Sequence, residues 1–261
     1  MNTSDSDAES NSLNWAQLRT DALESISIQT LSEEIELPVL PKAVTEFVVE
    51  SSDPDCDFAR LAQIIEIDAG LTCELLRYVN SARYGLMFPI RNVPQALAQL
   101  GLTTSRTYLM AAGAKSATRA QQSRLLNHRH FWNESLRRGL FSRIMATHLK
   151  LDGSLCFLGG LLQDFMLPVL TNRYDADYIQ FMETDGREGR DLCDWENEHF
   201  GCDHTRPAVA VARGWRFPDD LLCALFYHHE LLTTLHRPEA EFLNLFPVTS
   251  AALLPDQLSP T

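Results

Sequence analysis

All eight histidines of the chain, His128, His130, His148, His199, His204, His228, His229 and His236, lie from residue 128 onward, and with them comes Asp164, a carboxylate inside an otherwise apolar stretch. Imidazole and carboxylate together are the donors that hold a divalent metal and activate water. Whatever its role, a carboxylate in an apolar helix must find a partner, because burying an unpaired charge is costly. Other chemistries lack their signatures. The sequence has no G-x-x-x-x-G-K-[ST], no G-x-G-x-x-G, no G-x-S-x-G and no H-E-x-x-H. Six cysteines (Cys56, Cys73, Cys156, Cys193, Cys202, Cys223) are scattered without a C-x-x-C pair, which argues against a zinc knuckle or a thioredoxin-type redox motif, so reduced thiols are expected.

The elements that must position these residues read as helices. Apolar residues recur at helical spacing in Val44, Phe47 and Val48, in Phe58, Leu61, Ile64 and Ile65, and in Leu71, Leu75, Leu76 and Val79. Asp57 and Asp68 stand at N-cap positions. Pro94 opens a helix through Leu100 that Gly101 ends, and Pro218 with Asp219 and Asp220 opens one running to His229. Leu136, Leu140, Phe141, Ile144 and Met145 form one stripe and Leu155, Leu158, Leu161 and Leu162 another, each expected to face the core. No alternating strand pattern or βαβ rhythm is visible, so the predicted class is all-α: a single compact multi-helix domain.

Composition sets the boundaries. With 261 residues and 45% hydrophobic content the chain can bury a sizeable core, and its longest apolar run, Leu155 to Leu162, is short of a membrane span. Residues 1–30 read as a mobile acidic tail, since 1–36 carry 8 acids and 1 base, and no secretory or import signal precedes the body, so a cytoplasmic setting is expected. The net charge of −13 is unevenly spread: residues 101–150 hold 9 bases against 1 acid, and 151–261 hold 18 acids against 7 bases. That pairing of opposite blocks favours internal complementation over a nucleic-acid surface, and the stems of Arg137 and Arg138 are expected to cover the core at its rim.

In order, the chain carries Leu37-Pro38-Val39-Leu40-Pro41, Ser52-Asp53-Pro54, Ile65-Glu66-Ile67-Asp68, Tyr78-Val79-Asn80-Ser81-Ala82, Tyr84-Gly85 and Leu100-Gly101-Leu102. It continues with Phe131-Trp132, Gly159-Gly160-Leu161-Leu162-Gln163-Asp164, Phe200-Gly201-Cys202-Asp203-His204, Trp215-Arg216-Phe217-Pro218 and Tyr227-His228-His229-Glu230. In this order and spacing the chain resembles an HDOD domain, a branch of the HD superfamily of helical metal phosphohydrolases. The resemblance covers residues 33–236, with residues 237–261 adding a C-terminal helix, roughly Glu241 to Leu254, and a tail that complete the domain.

The resemblance implies a test of catalysis. An active HD site needs an early histidine, an adjacent His-Asp pair and a later aspartate. By alignment of motifs the early position here is Glu134, the pair is Gln163-Asp164, and the last helix offers Asn244 but no aspartate; only Asp164, His204 and the pair His228 and His229 match. These six positions, Glu134, Gln163, Asp164, His204, His228 and His229, are therefore expected to be a vestigial site holding no metal and no cofactor. The implied function is non-enzymatic: a bacterial signal-transduction regulator that recognises protein partners, in cyclic-dinucleotide or two-component pathways, with neither membrane nor nucleic acid as partner. Two rivals stand beside it. One is a divergent phosphohydrolase using Asp164, His204 and Glu134 around a weakly held metal; the other is nucleic-acid binding through residues 101–150.

Overall fold

Leu37 to Pro41 runs extended, as two prolines dictate, and the Trp215 indole pins it by donating to the Pro38 carbonyl at 3.1 Å. The computed structural model describes residues 20, 35–121, 123–184, 191–230, 243–254 and 258. The acidic segment read as a mobile tail lies outside these, Thr20 apart.

Three short helices follow: α1 (Lys42–Glu50), α2 (Phe58–Glu66) and α3 (Ala69–Val79). Asp57 accepts from the Ala59 amide and Asp68 from the Leu71 amide, both at 3.0 Å, so each caps the helix it was expected to start. The buried residues of this trio include Val44, Phe47, Leu61, Ile65, Leu75 and Val79. Asn80 then closes the following loop by exchanging two 2.8 Å hydrogen bonds with the Ile90 backbone. In α4 (Val93–Ala117) Gly101 takes the non-helical φ 74, ψ 166, so it ends the first helical stretch as expected, and a second stretch runs on across the kink.

The long α5 (His128–Leu149) lies along α6 (Gly153–Leu162). Two glycines permit the approach: a Cβ on Gly139 would stand 2.8 Å from the Phe157 carbonyl oxygen, and one on Gly160 2.9 Å from that of Arg138. Close contact demands small groups, and α5 turns accordingly. It buries Phe131, Trp132, Ser135, Arg138, Gly139, Ser142 and Ala146. Leu136, Leu140, Phe141 and Ile144, expected to face the core, are instead 37–58% exposed.

The remaining helices are α7 (Leu167–Arg173), α8 (Asp175–Glu183), α9 (Leu192–Phe200), α10 (Thr205–Gly214), α11 (Asp219–Phe226) and α12 (Phe246–Ala252). The helix from Pro218 stops at Phe226, which leaves His228 and His229 in the turn beyond it. Asn244 precedes α12, and its side-chain carbonyl accepts from the Asp152 amide at 3.1 Å. The fold is all-α, with no strand among the described residues. Counted past the run to Leu162, Gly153–Arg173 reaches a mean hydropathy of 1.5 and the length of a span, but 78% of its most apolar window is buried inside the fold, as a core hairpin would be.

Candidate functional site

Asp164 sits in the turn between α6 and α7 rather than within a helix, and is almost wholly buried. From α5 the Arg138 guanidinium reaches its Oδ2 at 2.6 Å, and the Gln163 amide donates to the same oxygen at 3.2 Å. Oδ1 faces two imidazoles: His204 Nε2 and His228 Nε2 each lie 3.3 Å away. His228 is oriented by Nδ1, which lies 2.7 Å from the Leu225 carbonyl and so must carry the hydrogen. Its Nε2 makes no hydrogen bond, and Gln163 Oε1 is a second buried atom without a partner.

His204 is placed by the start of α10, where Asp203 caps Thr205 through amide and hydroxyl at 3.0 and 2.6 Å. Its Nδ1 and its backbone amide both meet Glu196 Oε2, at 2.7 and 2.8 Å, and the Tyr178 hydroxyl donates to Glu196 Oε1 at 2.7 Å. His229 stands at the rim with Nε2 turned inward, 3.1 Å from His204 Nε2.

Protonation follows from these contacts. Burial alone would raise the Asp164 pKa, but the Arg138 charge, followed by the contacts from His204 and His228, holds it well below the ordinary carboxylate range. Burial disfavours an imidazolium at His204 too, yet the Glu196 charge and then Asp164 hold it well above the ordinary histidine value. His229 is pushed down by burial of its inner edge and then by the neighbouring imidazoles, and is neutral. Glu196, His204, Asp164 and Arg138 thus form a buried row of alternating charge that sums to zero.

Five of the six expected positions are therefore brought together: Gln163, Asp164, His204, His228 and His229. Glu134 is not. It pairs at 2.9 Å with Arg137 on the outer side of α5, and Arg138, one turn on, fills the place opposite Asp164. Arg138 was expected at the rim of the core; it is 3% exposed. Sequence reasoning also passed over Glu196 and Tyr178. For Arg138 a signal existed: Ser135, Gly139, Ser142 and Ala146 flank it at helical spacing, a stripe of small residues that marks a close helix contact.

Asp164, His204, His228 and His229 offer donor atoms within 4.8 Å of one another, the grouping expected of an HD metal site. As they stand they do not fit a metal. The only carboxylate of the four already faces the Arg138 guanidinium and two imidazoles, and both His204 nitrogens are engaged. A second grouping of Cys193, Glu196 and His204 fares no better, since both Glu196 oxygens are committed, Oε1 to the Tyr178 hydroxyl and Oε2 to the His204 ring and backbone amide.

A buried His and Asp cluster at the heart of a helical bundle defines a protein of the HD class, here with an arginine among the site residues. A family model of the HDOD domain matches residues 37–231, and the chain belongs to that family, which is associated with signal transduction. The crystal structure of an HDOD domain protein of unknown function from Geobacter sulfurreducens superposes with a TM-score of 0.69 at 20% identity, covering 91% of this chain and 77% of that one. Among curated proteins, an uncharacterized protein of Treponema pallidum is 26% identical over 78% of this chain and 39% of its own length. The Vibrio cholerae cyclic di-GMP phosphodiesterase CdgJ is 29% identical over 51% of this chain and 29% of its own length. The chain thus spans well under half of the curated relatives it matches.

Proposed function

We propose that this HDOD chain is a non-enzymatic regulatory module of bacterial signal transduction that acts by recognising protein partners. The observation that carries the reading is the Arg138 guanidinium on Asp164: a fixed internal cation neutralises the carboxylate that a hydrolytic metal would require. A divalent ion added there would meet that guanidinium, and Glu134, the other carboxylate of the hydrolase reading, is held away on Arg137. Recognition is assigned to the outward face of α5 at Phe141 and Ile144, because exposed large apolar side chains side by side on one helix are the kind of patch that partners cover. The similarity to a protein named for cyclic di-GMP hydrolysis makes a cyclic-dinucleotide pathway the proposed setting.

Elemental analysis of the purified protein, paired with hydrolysis assays on nucleotides and cyclic dinucleotides, tests the reading. The expected result is no stoichiometric metal and no turnover. One manganese, iron or zinc per chain, lost together with hydrolysis in Asp164→Ala, would replace it with the phosphohydrolase reading.

A further inference from the structure

Both α4 and α5 rest on α6, and between them they leave an open groove of about 1020 Å³ that contains none of the residues around Asp164. Its two ends differ in chemistry. At one, Tyr78 and Tyr108 stack with ring centres 4.1 Å apart and planes 14° from parallel, and Tyr84 meets Tyr78 edge-on at 5.5 Å. The Tyr108 hydroxyl is tied to the Glu74 carbonyl at 3.0 Å, so the platform is fixed. At the other end α4 presents Lys115, the 3-10 turn that follows it (Thr118–Ala120) presents Arg119, and the start of α5 adds Arg129.

This positive end is costly to keep. Lys115 and Arg119 are like charges close enough that both act on the same neighbour, His128, and like charges so gathered repel. No carboxylate forms an ion pair with Lys115, Arg119 or Arg129 among the described residues, and Glu74 is the single acidic side chain in the lining. His128 lies close enough to feel them: burial and then the charges of Lys115 and Arg119 push it down, so it is neutral and its Nε2 accepts from the Trp132 indole at 3.1 Å. The basic block of residues 101–150 was expected to be complemented by the acidic half of the chain. Arg138 does reach that half, at Asp164, whereas Lys115, Arg119, Arg129 and Arg143 line the groove.

From Tyr108 to Lys115 is seven residues, about 10 Å along the helix axis. That is the reach from a nucleobase to its own phosphates. A sequence-tolerant aromatic platform for the base, arginine and lysine for phosphate, and a volume at the upper end of small-molecule sites all fit one ligand class. We propose that the groove binds a nucleotide carrying two or more phosphate groups, its base against the Tyr78 and Tyr108 platform and its phosphates against Lys115, Arg119 and Arg129. The proposal stands whether or not the Asp164 site turns anything over.

Titration calorimetry on the full chain with ATP, GTP and cyclic di-GMP tests it, with guanosine, inorganic pyrophosphate and a single-stranded 12-mer as comparison arms. At least one nucleotide should bind with Kd of about 1–100 μM, with guanosine and pyrophosphate each at least about tenfold weaker. Lys115→Glu with Arg119→Glu should weaken binding at least about tenfold while leaving the circular dichroism spectrum and Tm unchanged, since both side chains are exposed. The proposal is overturned if no nucleotide binds below about 1 mM, if pyrophosphate equals the nucleotides, or if the charge reversal has no effect. Binding of the 12-mer alone, falling steeply with salt, would equally overturn it in favour of nonspecific polyanion attraction.

Discussion

Arg138 and Asp164 stand 26 positions apart in sequence and meet at 2.6 Å in the protein interior, both nearly free of solvent. The contact joins α5 to the turn after α6, next to the glycines that let the two helices close. Fold and site are therefore one arrangement: the approach of the helices delivers the guanidinium, and the guanidinium makes the buried carboxylate tolerable.

Removing one partner from such a pair leaves the other charge stranded, at a cost of about 3–5 kcal/mol. Arg138→Met should destabilise by that amount in urea unfolding, and adding Asp164→Asn should recover part of it, because a neutral amide needs no counter-charge. A loss below about 1 kcal/mol in Arg138→Met would remove the argument that arginine, rather than a bound ion, neutralises Asp164.

Stability should also fall on the alkaline side of neutrality. His204 has a folded pKa raised above its ordinary 6.5 by Glu196 and Asp164 against the opposing effect of burial, so the folded state keeps a proton that the unfolded chain releases. Its contribution is complete below pH about 6.5 and is lost as pH rises through the folded value, by up to roughly tenfold in the folding equilibrium per pH unit. His229 is depressed and acts on the acid side of 6.5; the Asp164 contribution is lost only as pH falls through its own depressed value. Urea midpoints between pH 6.5 and 9 should decline in the native chain and decline less in His204→Gln; parallel slopes would mean that His204 is not an imidazolium.

Gly160→Ala should be among the most damaging single-methyl insertions. The added carbon meets the Arg138 backbone and the Ser142 hydroxyl, which is itself committed to the Arg138 and Pro247 carbonyls at 3.0 Å each. Overpacking of this kind costs about 1–3 kcal/mol, and because it spreads α5 from α6 it should also loosen Arg138 from Asp164. A Tm within about 1 °C of the native value would show that the helices have room to spare.

The parts of this fold that local rules govern were legible in the sequence. Asp57 and Asp68 cap as their position demands, the apolar spacing of α1 to α3 gives their buried faces, and Gly101 marks a break. Failures came where tertiary contact outweighs hydrophobicity. The side of α5 that packs is the one with small side chains, so its apolar stripe faces outward; that single rotation hid both Arg138 and the exposed patch. Glu196 lies in the acid-rich run from Asp191 to Glu198, which reads as a solvated face, and only the fold shows that Tyr178 and His204 draw it inside. The groove was invisible for a related reason: net charge counts say that positive and negative blocks coexist, not which cations a helix face gathers away from the acids.

The outward face of α5 yields the test of recognition. Phe141 and Ile144 are 37% and 58% exposed, and neither lines the groove, so charges there should be tolerated by the fold. Phe141→Glu with Ile144→Glu should cost no more than about 0.5 kcal/mol per site, whereas Leu162→Ala, at a fully buried position of the neighbouring helix, should cost about 2–5 kcal/mol. The double variant should keep whatever nucleotide affinity the native protein shows, because its two sites lie outside that lining. It should lose partner proteins that the native chain captures under the same conditions, since a buried glutamate in a partner interface carries the same desolvation cost as one in a core. If the double variant instead unfolds, the stripe belongs to the interior of the folded chain; if it folds and still holds every partner, recognition runs through another surface.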